Sequence, residues 1–246
     1  MQQLKSYHRP DSVEAVLSLL DRPDVKTAVI GGGTSLVATL PEEVEEVVDL
    51  QAVGLTAVVH TPDRMTIGAM VRLQSLVADK EAPELLRRMA HREGPNTFRN
   101  AASLGGVLVD ANPESELLAA LLVFEAVVSV QTSAGGRQKT LPDFLADVAG
   151  SLDGGLVTAV SLKKSGQTAH ARVARTPQDK PIVAALARKA ENGDVLLALC
   201  GVGETAVLVD PTALDTLNPT GDFRGSSVYR KQMAAVLSER ILNELS

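Results

Sequence analysis

The sequence predicts an α+β fold, and three observations carry that prediction. Between Tyr7 and Gly150, short apolar runs such as Ala28-Val29-Ile30 and Val127 to Thr132 alternate with segments whose apolar residues recur at helical spacing. From Leu156 the pattern changes to a succession of strand-like runs closed by one amphipathic helix. Two glycine clusters, Gly31-Gly32-Gly33 and Gly105-Gly106, stand beside short apolar runs. Without a Cβ, such residues let the backbone and its N–H groups approach a ligand closely.

The elements follow in order. Asp11 or Ser12 caps a helix in which Val13, Val16, Leu17 and Leu20 form the apolar stripe, with Glu14 near its positive end. Pro23 and Asp24 stop it, and Lys26 to Ile30 reads as a strand. Pro41 to Glu46 is an acidic, solvated turn before a strand containing Val47, Val48 and Leu50. Thr56 to His60 and Met65 to Ile67 form a hairpin through the turn Thr61-Pro62-Asp63-Arg64. Helices begin near Leu73, Leu76 and Val77, and again from Pro83 to Ala90. Ser115 to Ala126 is a helix with Leu117, Leu118, Leu121 and Leu122 inward. Val127 to Thr132 is a strand, Ala134-Gly135-Gly136 a turn, and Leu141 to Leu145 a short closing segment.

Beyond Leu156, Val157 to Leu162 and Ala169 to Ala174 read as paired strands around Lys163-Lys164-Ser165-Gly166. Ile182 to Lys189 is a helix or a strand, and Val195 to Cys200 and Ala206 to Val209 are further strands. Gly221 to Ser226 links them to a final helix with Val228, Val236, Leu237 and Ile241 inward. No repeat of fixed period is present.

Composition narrows the function. The 246 residues suffice for one sizeable domain or two to three small ones, and 45% are hydrophobic. With no Trp, two Tyr, four Phe and a net charge of −6, the chain suits neither base stacking nor a phosphate backbone, so no nucleic-acid partner is expected. The single cysteine, Cys200, excludes an intramolecular disulfide and any self-contained cysteine-ligated cluster, and its apolar setting reads as a buried strand thiol. The start MQQLKSYHRP has no apolar h-region, and no stretch has the length and hydrophobicity of a membrane span. The expectation is a soluble, cytoplasmic protein.

The first glycine cluster fits neither common phosphate motif. A dinucleotide fingerprint starting at Gly31 and Gly33 requires a third glycine where Leu36 stands, and a P-loop requires a lysine that is absent. What remains is a compact anion-binding turn that offers N–H groups and the Thr34 and Ser35 hydroxyls. The second cluster lies within Asn96 to Glu116, NTFRNAASLGGVLVDANPESE. An isolated Gly-Gly there would be a tight turn between strands; together, the two loops suit a ligand with two phosphates.

These ordered motifs resemble those of the FAD-binding, or medium, subunit of molybdenum hydroxylases of the carbon monoxide and xanthine dehydrogenase type. The similar segments are Ile30-Gly31-Gly32-Gly33-Thr34-Ser35-Leu36, Ile67-Gly68-Ala69, Phe98-Arg99-Asn100 through Leu104-Gly105-Gly106, and Gly136-Arg137 with Asp143-Phe144. The resemblance spans essentially the whole chain. It implies an FAD-binding fold of two α/β subdomains (PCMH-like), residues 1–55 and 56–153, followed by a C-terminal domain of antiparallel sheet and helices, residues 154–246. It implies FAD as cofactor and two partners, a large subunit carrying the molybdenum cofactor and a ferredoxin-like iron–sulfur small subunit. Electrons would pass from the partner's clusters through the flavin to an external acceptor, with no catalytic side chain and no metal ligand on this chain.

Transferred residue by residue, the Ile30–Leu36 motif forms the first loop. Gly32, Gly33 and Thr34 meet the pyrophosphate, as do Ser103, Gly105 and Gly106, while Arg99 and Asn100 shape the second loop. Three positions depart from the family pattern. Val107 replaces an Asn after Gly-Gly, with Asn112 able to turn inward in compensation. Glu116 replaces an Asp that reaches the ribose. Lys180, with Pro181, stands where an aromatic or apolar residue faces the isoalloxazine. Two alternatives share the fold: a flavin-free scaffold or assembly subunit, and a stand-alone FAD reductase.

Overall fold

In the computed structural model, which describes residues 4–246, three sheets follow one another along the chain. Met1 to Gln3, the start of the N-terminal segment read above, lie outside the described residues. The first sheet is parallel and has the order β1-β3-β2, from β1 (Ser6–His8), β2 (Thr27–Ile30) and β3 (Glu46–Asp49). Between β1 and β2 runs α1 (Val13–Leu20), whose first turn is closed by the Ser12 hydroxyl accepting from the Ala15 N–H. Its Val16 and Leu17 pack on Val48 and Leu50, and also on Met70 and Leu156 from the next unit. A short helix, α2 (Leu36–Thr39), follows the first glycine loop. Strand β1 went unread in the sequence, because Ser-Tyr-His carries no apolar alternation; its three residues are held by pairing with Glu46 to Val48.

The second sheet is antiparallel throughout, in the order β4-β5-β8-β6-β7. The expected hairpin is present as β4 (Val58–His60) and β5 (Arg64–Gly68). Five helices follow: α3 (Leu73–Ala78), α4 (Glu84–Arg92), α5 (Asn96–Ala101), α6 (Leu104–Asp110) and α7 (Glu116–Val123). The chain then forms β6 (Val127–Thr132), β7 (Gly135–Thr140), α8 (Leu141–Ala146), α9 (Val148–Leu152) and β8 (Leu156–Lys163).

Three expectations change here. The Gly135-Gly136 turn is already strand, paired with Thr132 and Gln131; Gly-Gly-Arg-Gln-Lys-Thr is an edge strand with no apolar face to announce it. The second glycine cluster is not a loop but the first turn of α6, capped by the Ser103 hydroxyl. Strand β8 does not pair with the strand that follows it; it inserts between β5 and β6. The apolar pattern of Val157 to Leu162 specified a strand but could not specify its neighbour.

The third sheet, order β12-β11-β10-β9, comprises β9 (Gln167–Val173), β10 (Val183–Lys189), β11 (Val195–Cys200) and β12 (Val207–Val209). Strand β10 settles the helix-or-strand ambiguity. Val183, Ala185 and Ala187 face a long C-terminal helix, α10 (Ser227–Glu244), while Ala184 and Leu186 join the core around α7. A strand covered on both faces shows no polar alternation, so periodicity alone cannot separate it from a buried helix. All eight residues of α7 are buried for the same reason, being enclosed by α4 and this sheet. On α10, Leu237 and Ile241 point inward as expected, but Val228 and Val236 are exposed. The inward stripe instead runs Arg230, Ala234, Leu237, Ile241, and Arg230 donates to the carbonyls of Ile182 and Gly201 at 2.7 and 2.8 Å.

Cys200 lies fully buried on β11, facing the α7 core, and burial pushes its thiol pKa well up. A buried, protonated thiol is a poor nucleophile. Ellman's reagent is therefore expected to leave the folded protein unmodified and to titrate one thiol per chain after denaturation.

Candidate cofactor-binding site

Between the first two sheets lies a cleft of about 640 Å³, within the range of cofactor and ligand sites. One wall is the loop between β2 and α2, Gly31 to Leu36; the opposite wall is the start of α6 with Val109, Asp110 and Asn112. Ala69 and Met70 contribute after β5, and Gly155, Leu156 and Val157 at the start of β8. Glu93, Phe98 and Lys180 close one side.

The local sequence dictates how these walls meet. A Cβ added to Gly32 would stand 2.1 Å from the carbonyl oxygen of Ala101, so only glycine lets the first loop lie on the α5–α6 corner. Gly33 has φ of 69°, in the left-handed region that glycine enters without strain. In this conformation the N–H groups of Gly31, Gly32, Gly33 and Thr34 donate to no backbone or side-chain acceptor among the described residues. Four unsatisfied amides on one short loop form a concave donor surface suited to an anion. The Ser35 hydroxyl donates to Asp110 at 2.8 Å and so ties this loop to α6 across the cleft.

The second cluster behaves differently. The N–H groups of Leu104 and Gly105 donate to the carbonyls of Val71 and Ala69, at 3.0 and 2.8 Å. Those of Gly106 and Val107 donate to the Ser103 hydroxyl and carbonyl, both at 3.2 Å. Its glycines act through packing: a Cβ on Gly105 would stand 3.0 Å from both the Cβ and the carbonyl oxygen of Ala69. Ser103, Gly105, Gly106 and Val107 all line the cleft, but with their amides already taken. The free donors come from the first loop.

Of the expected site residues, Gly31, Gly32, Gly33, Thr34, Ser35, Leu36, Ser103, Gly105, Gly106, Val107, Asn112 and Lys180 meet at this cleft. Ile30, Arg99, Asn100 and Glu116 do not line it. Ile30 ends β2 just before the loop. Buried Arg99 lies behind the corner and donates to Gln74, His91 and Gly94, bracing α5 against the end of α4. Asn100 is exposed and bonds back to Asn96. Glu116 turns away into the third sheet, where its carboxylate lies 2.7 Å from His170 Nε2 and 3.2 Å from Arg172 Nε. The longer side chain reaches β9 instead of the cleft.

Glu93 was missed. Its buried carboxylate accepts from the Ser115 hydroxyl at 2.7 Å, from the Leu117 N–H at 3.1 Å and from the Lys180 ammonium at 2.6 Å. It thereby caps α7 and fixes Lys180 at the cleft. No local pattern marks Glu93, because its partners lie 22, 24 and 87 residues away. Phe98, Met70, Leu156 and Val157 were equally silent, being apolar residues that happen to face a cleft rather than the core.

Comparison with known proteins bears on what fills this cleft. A family model described as the FAD binding domain in molybdopterin dehydrogenase matches residues 2–162. The glyceraldehyde dehydrogenase medium chain of Sulfolobus acidocaldarius is 25% identical, over 98% of this chain and 98% of its own length. The 6-hydroxypseudooxynicotine dehydrogenase complex subunit alpha of Paenarthrobacter nicotinovorans is 27% identical, over 94% and 91%. Among solved structures, a chain of the carbon monoxide dehydrogenase from Hydrogenophaga pseudoflava superposes with a TM-score of 0.87 at 20% identity, covering 100% of this chain and 98% of that one, a likeness of fold.

Proposed function

The chain belongs to the family of FAD binding domains of molybdopterin dehydrogenases, and from that premise we propose that it carries electrons from the iron–sulfur clusters of a partner subunit, through FAD, to an external acceptor. It is an oxidoreductase subunit whose cofactor is FAD. The observation that carries the reading is the set of four free amides on the Gly31–Thr34 loop, facing a cleft with largely apolar walls. Free N–H donors match a diphosphate, and apolar walls match two flat ring systems. A flavin-free scaffold is not favoured, since it would leave these donors without a purpose.

When bound, FAD supplies the redox chemistry by taking up and releasing electrons. The protein's residues do the remaining work. The Gly31 to Thr34 amides would hold the diphosphate, and the Ser35–Asp110 hydrogen bond keeps the loop closed on α6. Val29, Leu50, Met70, Leu156 and Val157 keep water from the apolar walls. Glu93 holds the Lys180 ammonium at the side formed by the third unit. In this reading residues 1–55 and 56–153 bind the cofactor, and 154–246 close the cleft, with β8 returning to the second sheet first.

The partners in this proposal are a molybdenum-containing large subunit and a ferredoxin-like iron–sulfur subunit. The relatives named as a medium chain and as a complex subunit support it. Among the described residues, no helix is long and apolar enough to cross a membrane, and we place the complex in the cytoplasm. The test is affinity purification of the tagged chain from its native host. Two further polypeptides with stoichiometric molybdenum and iron, and flavin absorbance bleached by the complex's substrate, are expected. A lone flavoprotein without metals would contradict the electron-relay role.

Val107 lines the cleft directly after Gly106 and offers no polar atom to a ligand. Val107→Asn is expected to tighten FAD binding by about fivefold, the worth of one hydrogen bond of about 1 kcal/mol. Isothermal titration of both proteins measures the difference.

A further inference from the structure

A second, smaller cleft of about 310 Å³ opens beside the first and shares Lys180 with it. It lies between the Arg175–Lys180 segment and the turn at Asp222 to Gly225, with Glu114 at its base. Two features stand out. Phe223, one of only four phenylalanines in the chain, is 87% exposed. Arg175 is exposed and forms no hydrogen bond or ion pair among the described residues.

The exposure of Phe223 is not that of a loose loop. Asp222 accepts from the N–H groups of Arg224 and Gly225 at 2.8 and 3.1 Å, and pairs with the guanidinium groups of Arg224 and Arg230 at 2.8 and 2.9 Å. Arg230 and then Arg224 hold the Asp222 carboxyl well below the usual carboxylate range, so this clasp is charged at neutral pH. Arg224 also pairs with both oxygens of Glu114, and its guanidinium carbon lies 5.7 Å from the Phe223 ring centroid. A braced turn thus presents an aromatic ring to solvent, backed by a cation. The other charged groups of the cleft are satisfied: Lys180 by Glu93, Glu114 by Arg224, and Asp179 by the Thr176 N–H. Arg175 is left as the free charge.

We propose that this cleft is a second ligand site, for a small flat aromatic compound bearing one acidic group, which stacks on Phe223 and pairs with Arg175. The cleft volume admits one ring system and excludes a second dinucleotide. Stacking supplies the apolar contact and the guanidinium a charge-assisted bond to the acid. The site goes beyond the electron-relay reading and does not depend on it.

The test uses the full chain saturated with FAD and two probes, 1,4-naphthoquinone-2-sulfonate and nicotinamide mononucleotide, in equilibrium dialysis. Saturable binding of either probe is expected, and which one binds distinguishes a quinone-like from a pyridine nucleotide ligand. Phe223→Ala should weaken it by about five- to tenfold. Arg175→Ala should weaken it by about tenfold or more. Both side chains are exposed, so neither variant should alter folding or the Kd for FAD, which is measured in parallel. Binding of neither probe, binding unchanged in both variants, or binding only when FAD is absent would overturn the proposal.

Discussion

Gly32→Ala is expected to raise the Kd for FAD by about ten- to a hundredfold while leaving a folded protein. The reason is steric and local. The added Cβ would lie 2.1 Å from the Ala101 carbonyl oxygen and 2.8 Å from its carbon, both backbone atoms that cannot rotate aside. Relief requires the first loop to lift from the α5–α6 corner, which moves the free amides of Gly31 to Thr34 together. Overpacking of this kind costs about 1–3 kcal/mol, which is the stated range in affinity. Gly203→Ala is the control: its Cβ would meet nothing closer than 3.4 Å, at a backbone conformation any residue adopts. Fluorescence titration with FAD and thermal melts on the three proteins separate a loop effect from a general loss of stability.

Glu93→Ala carries the second large effect, on stability first and binding second. The substitution leaves the Ser115 hydroxyl and Leu117 N–H of α7 without their acceptor and frees the Lys180 ammonium at the cleft. Removing one partner of a buried ion pair costs about 3–5 kcal/mol, and the one-third exposure of Lys180 brings the expectation to about 2–4 kcal/mol. Glu93→Gln keeps an acceptor for the Leu117 N–H and loses the charge, so it should cost less than half as much. Urea denaturation gives all three stabilities. Equal losses for the Ala and Gln variants would show that capping of α7 contributes nothing.

Some of this was legible in the sequence because the cause was local. Helix α1 announces itself through Ser12 and its apolar stripe, and the β4–β5 hairpin through its turn residues. The glycine loop at Gly31 to Gly33 was legible as an anion turn because its chemistry lies in consecutive backbone amides. The second cluster illustrates the limit. Gly105 and Gly106 look the same as letters, yet they lie in a helix whose amides are taken by Ala69 and by Ser103, a fact set by the neighbouring chain. Glu116 and Glu93 show the other limit. Both are acidic residues near the cleft in sequence, but one turns to His170 and Arg172 while the other reaches Lys180 and α7. Which carboxylate serves the cleft depends on contacts between units, and no spacing rule encodes those. The same holds for β8, whose strand character was evident and whose partners were not.

The most direct test of the account follows backbone amide resonances of the purified chain during titration with FAD. The account predicts saturable one-to-one binding at micromolar concentration or tighter, with a rise in melting temperature. The largest shifts should fall on Gly31, Gly32, Gly33 and Thr34, and smaller ones on Gly105 and Gly106, whose amides are already bonded. Absence of saturation at about 100 µM with a well-folded protein, or shifts that spare the first loop, would contradict it.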